Sequence, residues 1–170
     1  PAEPERQDGL IAYWSSNTSY ASTLGQGDWA RHTQGTIVPQ INWPTTSLPF
    51  TEGGPTDYFA ARFRGDIEVP ESGYWTFTLG SDSGARLLIN GALVVNDDAA
   101  HYYRTRSGSI ALEAGRHTFE LQYIEHTGNQ GLTLQWQGPG VAALTTVPAS
   151  AFSHTPAEDE IQTGGLRAYW

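Results

Sequence analysis

Phe59-Ala60-Ala61-Arg62-Phe63-Arg64-Gly65-Asp66-Ile67-Glu68-Val69 alternates strictly. Its odd positions are apolar or Gly, and its even positions are Ala, Arg, Arg, Asp and Glu. Side chains on a strand point to opposite faces in turn, so this pattern predicts a strand with one buried and one wet face. Pro70-Glu71-Ser72-Gly73 makes a turn, and Trp75, Phe77 and Leu79 then point one way while Thr76 and Thr78 point the other. Arg86-Leu87-Leu88-Ile89 and Ala92-Leu93-Val94-Val95 flank Asn90-Gly91, the pair that a two-residue type I′ turn favours because both residues take positive φ. Ile110 and Leu112 lead to a turn at Glu113-Ala114-Gly115. Phe119, Leu121 and Tyr123 alternate after it, as do Leu132, Leu134 and Trp136 up to Gly138-Pro139-Gly140.

No stretch holds a 3.6-residue period for more than two turns, so the fold class is all-β, an antiparallel β-sandwich or barrel. Trp75, Phe77, Phe119, Leu121, Leu134 and Trp136 are expected to share its core. Residues 15–56 are less regular and carry Trp29, Trp43 and Phe50 among polar residues and prolines, so they are expected to wrap the sandwich as long N-terminal loops and short strands.

The chain of 170 residues has the size of one domain. Gly9-Leu10-Ile11-Ala12-Tyr13-Trp14 recurs as Gly165-Leu166-Arg167-Ala168-Tyr169-Trp170, differing at one position. A repeat one domain length downstream predicts the first strand of a following, similar domain. Residues 1–8 and 153–164, rich in Pro and acidic side chains, read as linkers around a domain at 9–152. The chain begins at Pro1 and has no Met, which predicts a piece of a longer processed protein.

The formal net charge is −9, and all basic residues are Arg. A chain so acidic, with no basic cluster, is a poor partner for nucleic acid or anionic lipid. No apolar run reaches the ~18 residues of a membrane span. With no Cys, thiolate nucleophiles and Cys-based zinc sites are excluded. The five His lack metal-ligand spacing, and no Gly-x-Ser-x-Gly elbow surrounds Ser83. Asp82 and Glu125 form a conceivable carboxylate pair for glycoside hydrolysis, but an ordinary turn Asp and a buried Glu capping a loop are the reading these positions favour. The expectation is therefore a non-enzymatic domain.

Three polar loops carry the remaining chemistry. Ser81-Asp82-Ser83-Gly84 and His126-Thr127-Gly128-Asn129-Gln130-Gly131 each join two strong strands. Oxygen-rich loops at one end of a β-scaffold can hold calcium, with Asp82, Ser83, Gly128 and Asn129 as candidate ligands; plain hairpin turns use the same residue types. The third loop sets Asp97 and Asp98 beside His101, Tyr102 and Tyr103, and planar polar groups with aromatic faces suit sugar rings. The candidate ligand-binding residues are thus Asp82, Ser83, Asp97, Asp98, Tyr102, His126, Asn129 and Gln130.

These segments resemble the protective-antigen-type (PA-fourteen) domain family of bacterial toxins, flocculin adhesins and some glycosidases. Pro70-Glu71-Ser72-Gly73-Tyr74-Trp75-Thr76-Phe77 is similar to its P-x-x-G-x-Y/W-x-F turn and strand. Ser81-Asp82-Ser83-Gly84-Ala85-Arg86-Leu87-Leu88-Ile89-Asn90-Gly91 is similar to its S-D-D-G-x-R-L-x-I-D-G motif. Tyr123-Ile124-Glu125-His126-Thr127-Gly128 with Leu132-Thr133-Leu134-Gln135-Trp136 is similar to its ending, and Gly9 to Trp14 fits its opening strand. The resemblance implies a β-sandwich or barrel that binds carbohydrate at one end. In its lectin members two consecutive Asp joined by a cis peptide, with an amide and carbonyls of a second loop, hold calcium that sugar hydroxyls complete. Here Asp82 matches the first Asp, Ser83 replaces the second, and His126 stands where an amide is frequent. The implied function is a carbohydrate-binding or adhesion module of an exported, cell-surface protein, with a glycan and neighbouring domains as partners. A structural spacer in a tandem array, or an accessory domain beside a glycosidase, are the alternatives.

Overall fold

The protein is described by a computed structural model, which covers residues 5–16, 35–51, 54–125 and 127–155. Among the described residues thirteen strands run in chain order. They are β1 (Gln7–Asp8), β2 (Leu10–Ser16), β3 (Thr36–Val38), β4 (Asn42–Thr46), β5 (Phe59–Val69), β6 (Gly73–Asp82) and β7 (Gly84–Ile89), then β8 (Ala92–Asp97), β9 (Arg104–Leu112), β10 (Gly115–Glu125), β11 (Gln130–Gly138), β12 (Val141–Thr146) and β13 (Phe152–His154). They form two antiparallel sheets stacked as a sandwich, with no closed barrel. The first sheet has the order β1-β13-β5-β10-β7-β8, with β2 on β5 and β3 on β2; the second has β12-β11-β6-β9, with β4 on β11.

Strand β5 sits inside the first sheet. One edge pairs with β10 along its whole length, from Val69 opposite Gly115 to Phe59 opposite Glu125. The other edge takes two partners: β2 covers Phe59 to Arg64, and β13 covers Asp66 and Ile67. Gly65 lies where one gives way to the other. A Cβ there would lie 2.5 Å from the Ser153 carbonyl oxygen and 2.9 Å from Leu10 Cδ2, so only Gly lets the two strands abut.

The wet face of β5 is only partly wet. Glu68 is exposed, but Ala60 and Asp66 are buried. Ile11, Tyr13 and Ser15 of β2 are also buried, so the sheet is covered here on both sides. Asp66 is reached by the Arg6 guanidinium, which removes the need for water around its carboxylate.

The expected core forms: Trp75, Phe77, Phe119, Leu121, Leu134 and Trp136 are all buried. The rings of Trp75 and Trp136 approach to 4.7 Å between centroids, and those of Phe119 and Phe152 to 5.1 Å. Toward the other end, Trp43 stacks on Phe50 at 4.7 Å, and Phe50 meets Tyr123 at 5.4 Å, so the irregular N-terminal region contributes aromatics to the core. Asn90 and Gly91 have φ of 53° and 78°, as a type I′ turn requires.

Three features depart from the sequence pattern. The first sheet takes in Gln7 and Asp8, which pair with His154 and Ser153 from the opposite flanking segment. The His154 Nδ1 lies 2.9 Å from the Gly9 carbonyl and ties the two ends together. Gly138-Pro139-Gly140 is a reversal rather than an end, since β12 returns along β11. Much of β9 was also unpredicted; it is exposed over most of its length and lacks the alternation that announces a strand. Trp29, His126 and the repeat at residues 165–170 lie outside the described residues.

Trp75→Ala should destabilise the domain by about 3–5 kcal/mol, because neighbours held by two sheets cannot collapse into the cavity. Gly65→Ala should cost about 1–3 kcal/mol through overpacking against a fixed carbonyl. Urea denaturation checks both, and an unchanged midpoint for Gly65→Ala would show that β2 and β13 do not abut there.

Candidate functional site

At one end of the sandwich three chain reversals converge. Strand β6 ends at Asp82, and the chain enters β7 through Ser83, with a cis peptide bond between Asp82 and Ser83. The second reversal is the loop after β8, residues 98–103, and the third joins β10 to β11. Between them lies a cleft of about 420 Å³. Asp82, Ser83, Tyr102, Gly128 and Asn129, all expected from sequence, line it, together with His101, Glu125 and Thr127. Tyr102 is 91% exposed, so its ring stands free beside the opening.

Other expected residues are placed elsewhere. Asp97 does not line the cleft. Its side chain is fully buried and receives Arg104 Nη2 at 2.5 Å, Arg104 Nε at 3.1 Å, Arg106 Nε at 3.2 Å and His101 Nε2 at 3.1 Å. The bond to Asp97 raises the already high pKa of Arg104. Three nitrogen-bearing side chains around one buried carboxylate make it an anchor for the loop that carries Tyr102. Asp98 is half-buried outside the cleft wall. Gln130 is buried, and its Nε2 donates to the Leu48 carbonyl at 2.5 Å.

Ser83 also serves the loop. Its Oγ accepts the His101 N–H at 3.0 Å and lies 3.5 Å from the Ala99 carbonyl. The Ser83 hydroxyl thus braces the loop that follows β8 against the β6–β7 turn.

Beneath the cleft lies a buried polar layer. The Tyr123 hydroxyl reaches the Asp82 carbonyl and lies 3.0 Å from Glu125 Oε2. Burial, then the nearby Glu125 charge and its hydrogen bond, raise the Tyr123 pKa well above the ordinary phenol range, so it stays a donor. Burial raises the pKa of Asp82 as well, opposed by the charge of His101.

Tyr103 escaped the sequence reading as a site residue. Its ring lies over Gly80 of β6 and Gly131 of β11, and its hydroxyl is 2.6 Å from Thr133 Oγ1. Its signal was a glycine in each of two neighbouring strands, Gly80 and Gly131, two positions apart in register, where a side chain would strike the ring.

Residues 6–148 match the model of the PA14 domain. The chain belongs to the PA14 domain family. An anti-sigma-I factor, RsgI3, of Acetivibrio thermocellus is 27% identical over 99 residues; the match spans 55% of this chain and 15% of that protein. The chain therefore spans a small part of the curated relative it matches. Among solved structures, the fold is similar to an anti-sigma factor domain-containing protein at a TM-score of 0.74 and 21% identity, covering 87% of this chain and 48% of that one. It is also similar to a PA14 sugar-binding domain from an RTX adhesin, at a TM-score of 0.74 and 19% identity, covering 86% of this chain and 98% of that one.

Asp97→Asn should cost about 1–3 kcal/mol, since it removes the charge that satisfies three neighbours while Arg104 and Arg106, partly exposed, recover water. Chemical denaturation measures this. Wild-type stability in the variant would show that the cluster does not hold the loop.

Proposed function

We propose that this PA14 domain is a non-catalytic carbohydrate-binding or adhesion module of an exported, cell-surface multidomain protein. The observation that carries the reading is the end-on cleft, lined by the buried Asp82, by Gly128 and Asn129 of the β10–β11 loop and by the freely exposed Tyr102. Sugar recognition needs both kinds of surface: polar groups that bond hydroxyls, and an apolar face that covers the ring's C–H side. The sugar-binding RTX adhesin domain shares the fold over nearly its whole length, which supports the reading.

Calcium fits the donors of this cleft. Asp82 carries a carboxylate whose ionised form burial disfavours, and a cation would relieve that penalty. Gly128 and Asn129 line the same cleft, where a carbonyl and an amide oxygen are available as further donors, and Glu125 lies in its wall. Calcium takes only oxygen ligands, about 6–8 of them, so water and sugar hydroxyls complete the set. The bound ion would supply positive charge that orients sugar hydroxyls. Ser83, with its hydroxyl turned to the loop, adds little, and affinity falls with carboxylate count.

The engagement of Ser83 also favours a second reading, a structural spacer in a tandem array joined through the chain that flanks β1 and β13. Calorimetric titration of calcium, with and without a glycan found on an array, separates the two. Wild type should bind calcium, and Asp82→Ala should lose at least about tenfold in affinity on removal of its one guaranteed carboxylate. Binding unchanged in Asp82→Ala would move the ion out of the cleft; no calcium heat and no glycan on the array would leave the spacer.

A further inference from the structure

The second sheet differs from the first in one chemical respect. Its five strands contain three charged residues, Asp82, Arg104 and Arg106. Asp82 belongs to the cleft, and both arginines turn to Asp97. The outward positions of β6 are therefore Tyr74, Thr76, Thr78 and Gly80, ending at Asp82. Opposite them stand Ser109, Ser107 and Thr105 of β9 on one side, and Gln137, Gln135 and Thr133 of β11 on the other. The first sheet, in contrast, carries Arg62, Arg64, Glu68, Arg86, Arg116 and Glu120 along its strands.

We infer that this uncharged outer face is a track for an extended neutral glycan, running from Tyr74 to the cleft. The inference rests on the glycan-binding reading above. The hydroxyls on this face are paired in a ladder: Thr76 with Ser109 at 2.8 Å, Thr78 with Ser107 at 2.8 Å, and Tyr103 with Thr133 at 2.6 Å. Each pair uses one hydroxyl hydrogen and one acceptor, which leaves a second hydrogen and free lone pairs; Ser107 and Ser109 present theirs at exposed positions, while Thr78 is buried between its neighbours. A sugar hydroxyl both donates and accepts, so it complements such a pair. Rungs recur every second residue, roughly 6.7 Å apart, and Tyr74 to Asp82 spans roughly 27 Å of strand. That length exceeds what a single terminal sugar in the cleft occupies.

Charge and continuity identify the occupant. Among the described residues this face presents neither a cation nor an anion, so an anionic or a cationic partner would gain little from it. Tyr74, 74% exposed at the far end, and Tyr102, 91% exposed at the cleft, offer ring faces at both limits of the track. Between them Gly80 and Gly131 keep the surface low enough for the Tyr103 ring to lie along it.

The test uses immobilised neutral oligosaccharides of glucose, mannose, galactose and xylose, each as a ladder from monosaccharide to hexasaccharide. Wild-type affinity in at least one ladder should rise by about tenfold or more with chain length. Tyr74→Ala and Ser107→Glu, both at exposed positions, should remove that gain, with melting temperatures checking that they fold. A flat length dependence in wild type, with Asp82-dependent monosaccharide binding retained, would overturn the track and leave the cleft. Length-dependent binding without any monosaccharide binding, unaffected by Asp82→Ala, would overturn the cleft and keep the track. A length gain that survives in both Tyr74→Ala and Ser107→Glu would overturn the track as well.

Discussion

The shared edge of β5 is the constraint on which the rest of the structure depends. A strand has two edges, and β5 gives one wholly to β10 while dividing the other between β2 and β13. The division requires Gly65, because the Ser153 carbonyl and the Leu10 side chain both press on the place a Cβ would take. It also brings the first and last described strands into one sheet, so the domain is closed by its own ends. With β10 held along the full length of β5, the loop after Glu125 is set beside the end of β6, and the cleft follows from that adjacency.

The two sheets divide the chemistry. The first carries most of the charge, with Arg62 and Arg64 both reaching Glu120 on its outer face. The second is nearly uncharged and packs Thr76, Thr78 and Thr133 against hydroxyl partners. Asp97 joins the two: it ends β8 of the first sheet, and its partners Arg104 and Arg106 come from β9 of the second. A buried carboxylate stripped of these cations would be a severe penalty, so the pairing fixes how the edges of the two sheets meet.

Alternation made most of the fold legible. Phe59 to Val69, Trp75 to Leu79 and Phe119 to Tyr123 each bury one face against the other sheet, and a period of two records that directly. Asn90-Gly91 was legible because few other pairs take positive φ twice. Strands β12 and most of β9 were not, since an exposed edge strand buries no face and imposes no pattern. The buried outer side of β2 was invisible for the opposite reason: Ile11 and Tyr13 alternate with Leu10, Ala12 and Trp14, and all five are apolar. At the cleft, Asp82, Ser83, Tyr102, Gly128 and Asn129 could be read from loop composition. The engagement of Asp97 could not, because Arg104 and Arg106 look like ordinary surface cations until β8 and β9 are brought together.

The pairing of Gln7 with His154 has a mechanical consequence. Strands β1 and β13 are antiparallel neighbours, so the chain enters and leaves the domain at the same end of that pair. Tension drawn through the two flanking segments then peels the pair open rather than sliding one strand along the other. Hydrogen bonds loaded in this geometry break one after another instead of sharing the force. The seam β1–β13 is therefore loaded bond by bond rather than as a unit. The ladder of β6, β9 and β11, with the cleft at its end, lies in the other sheet and shares no backbone pairing with that seam.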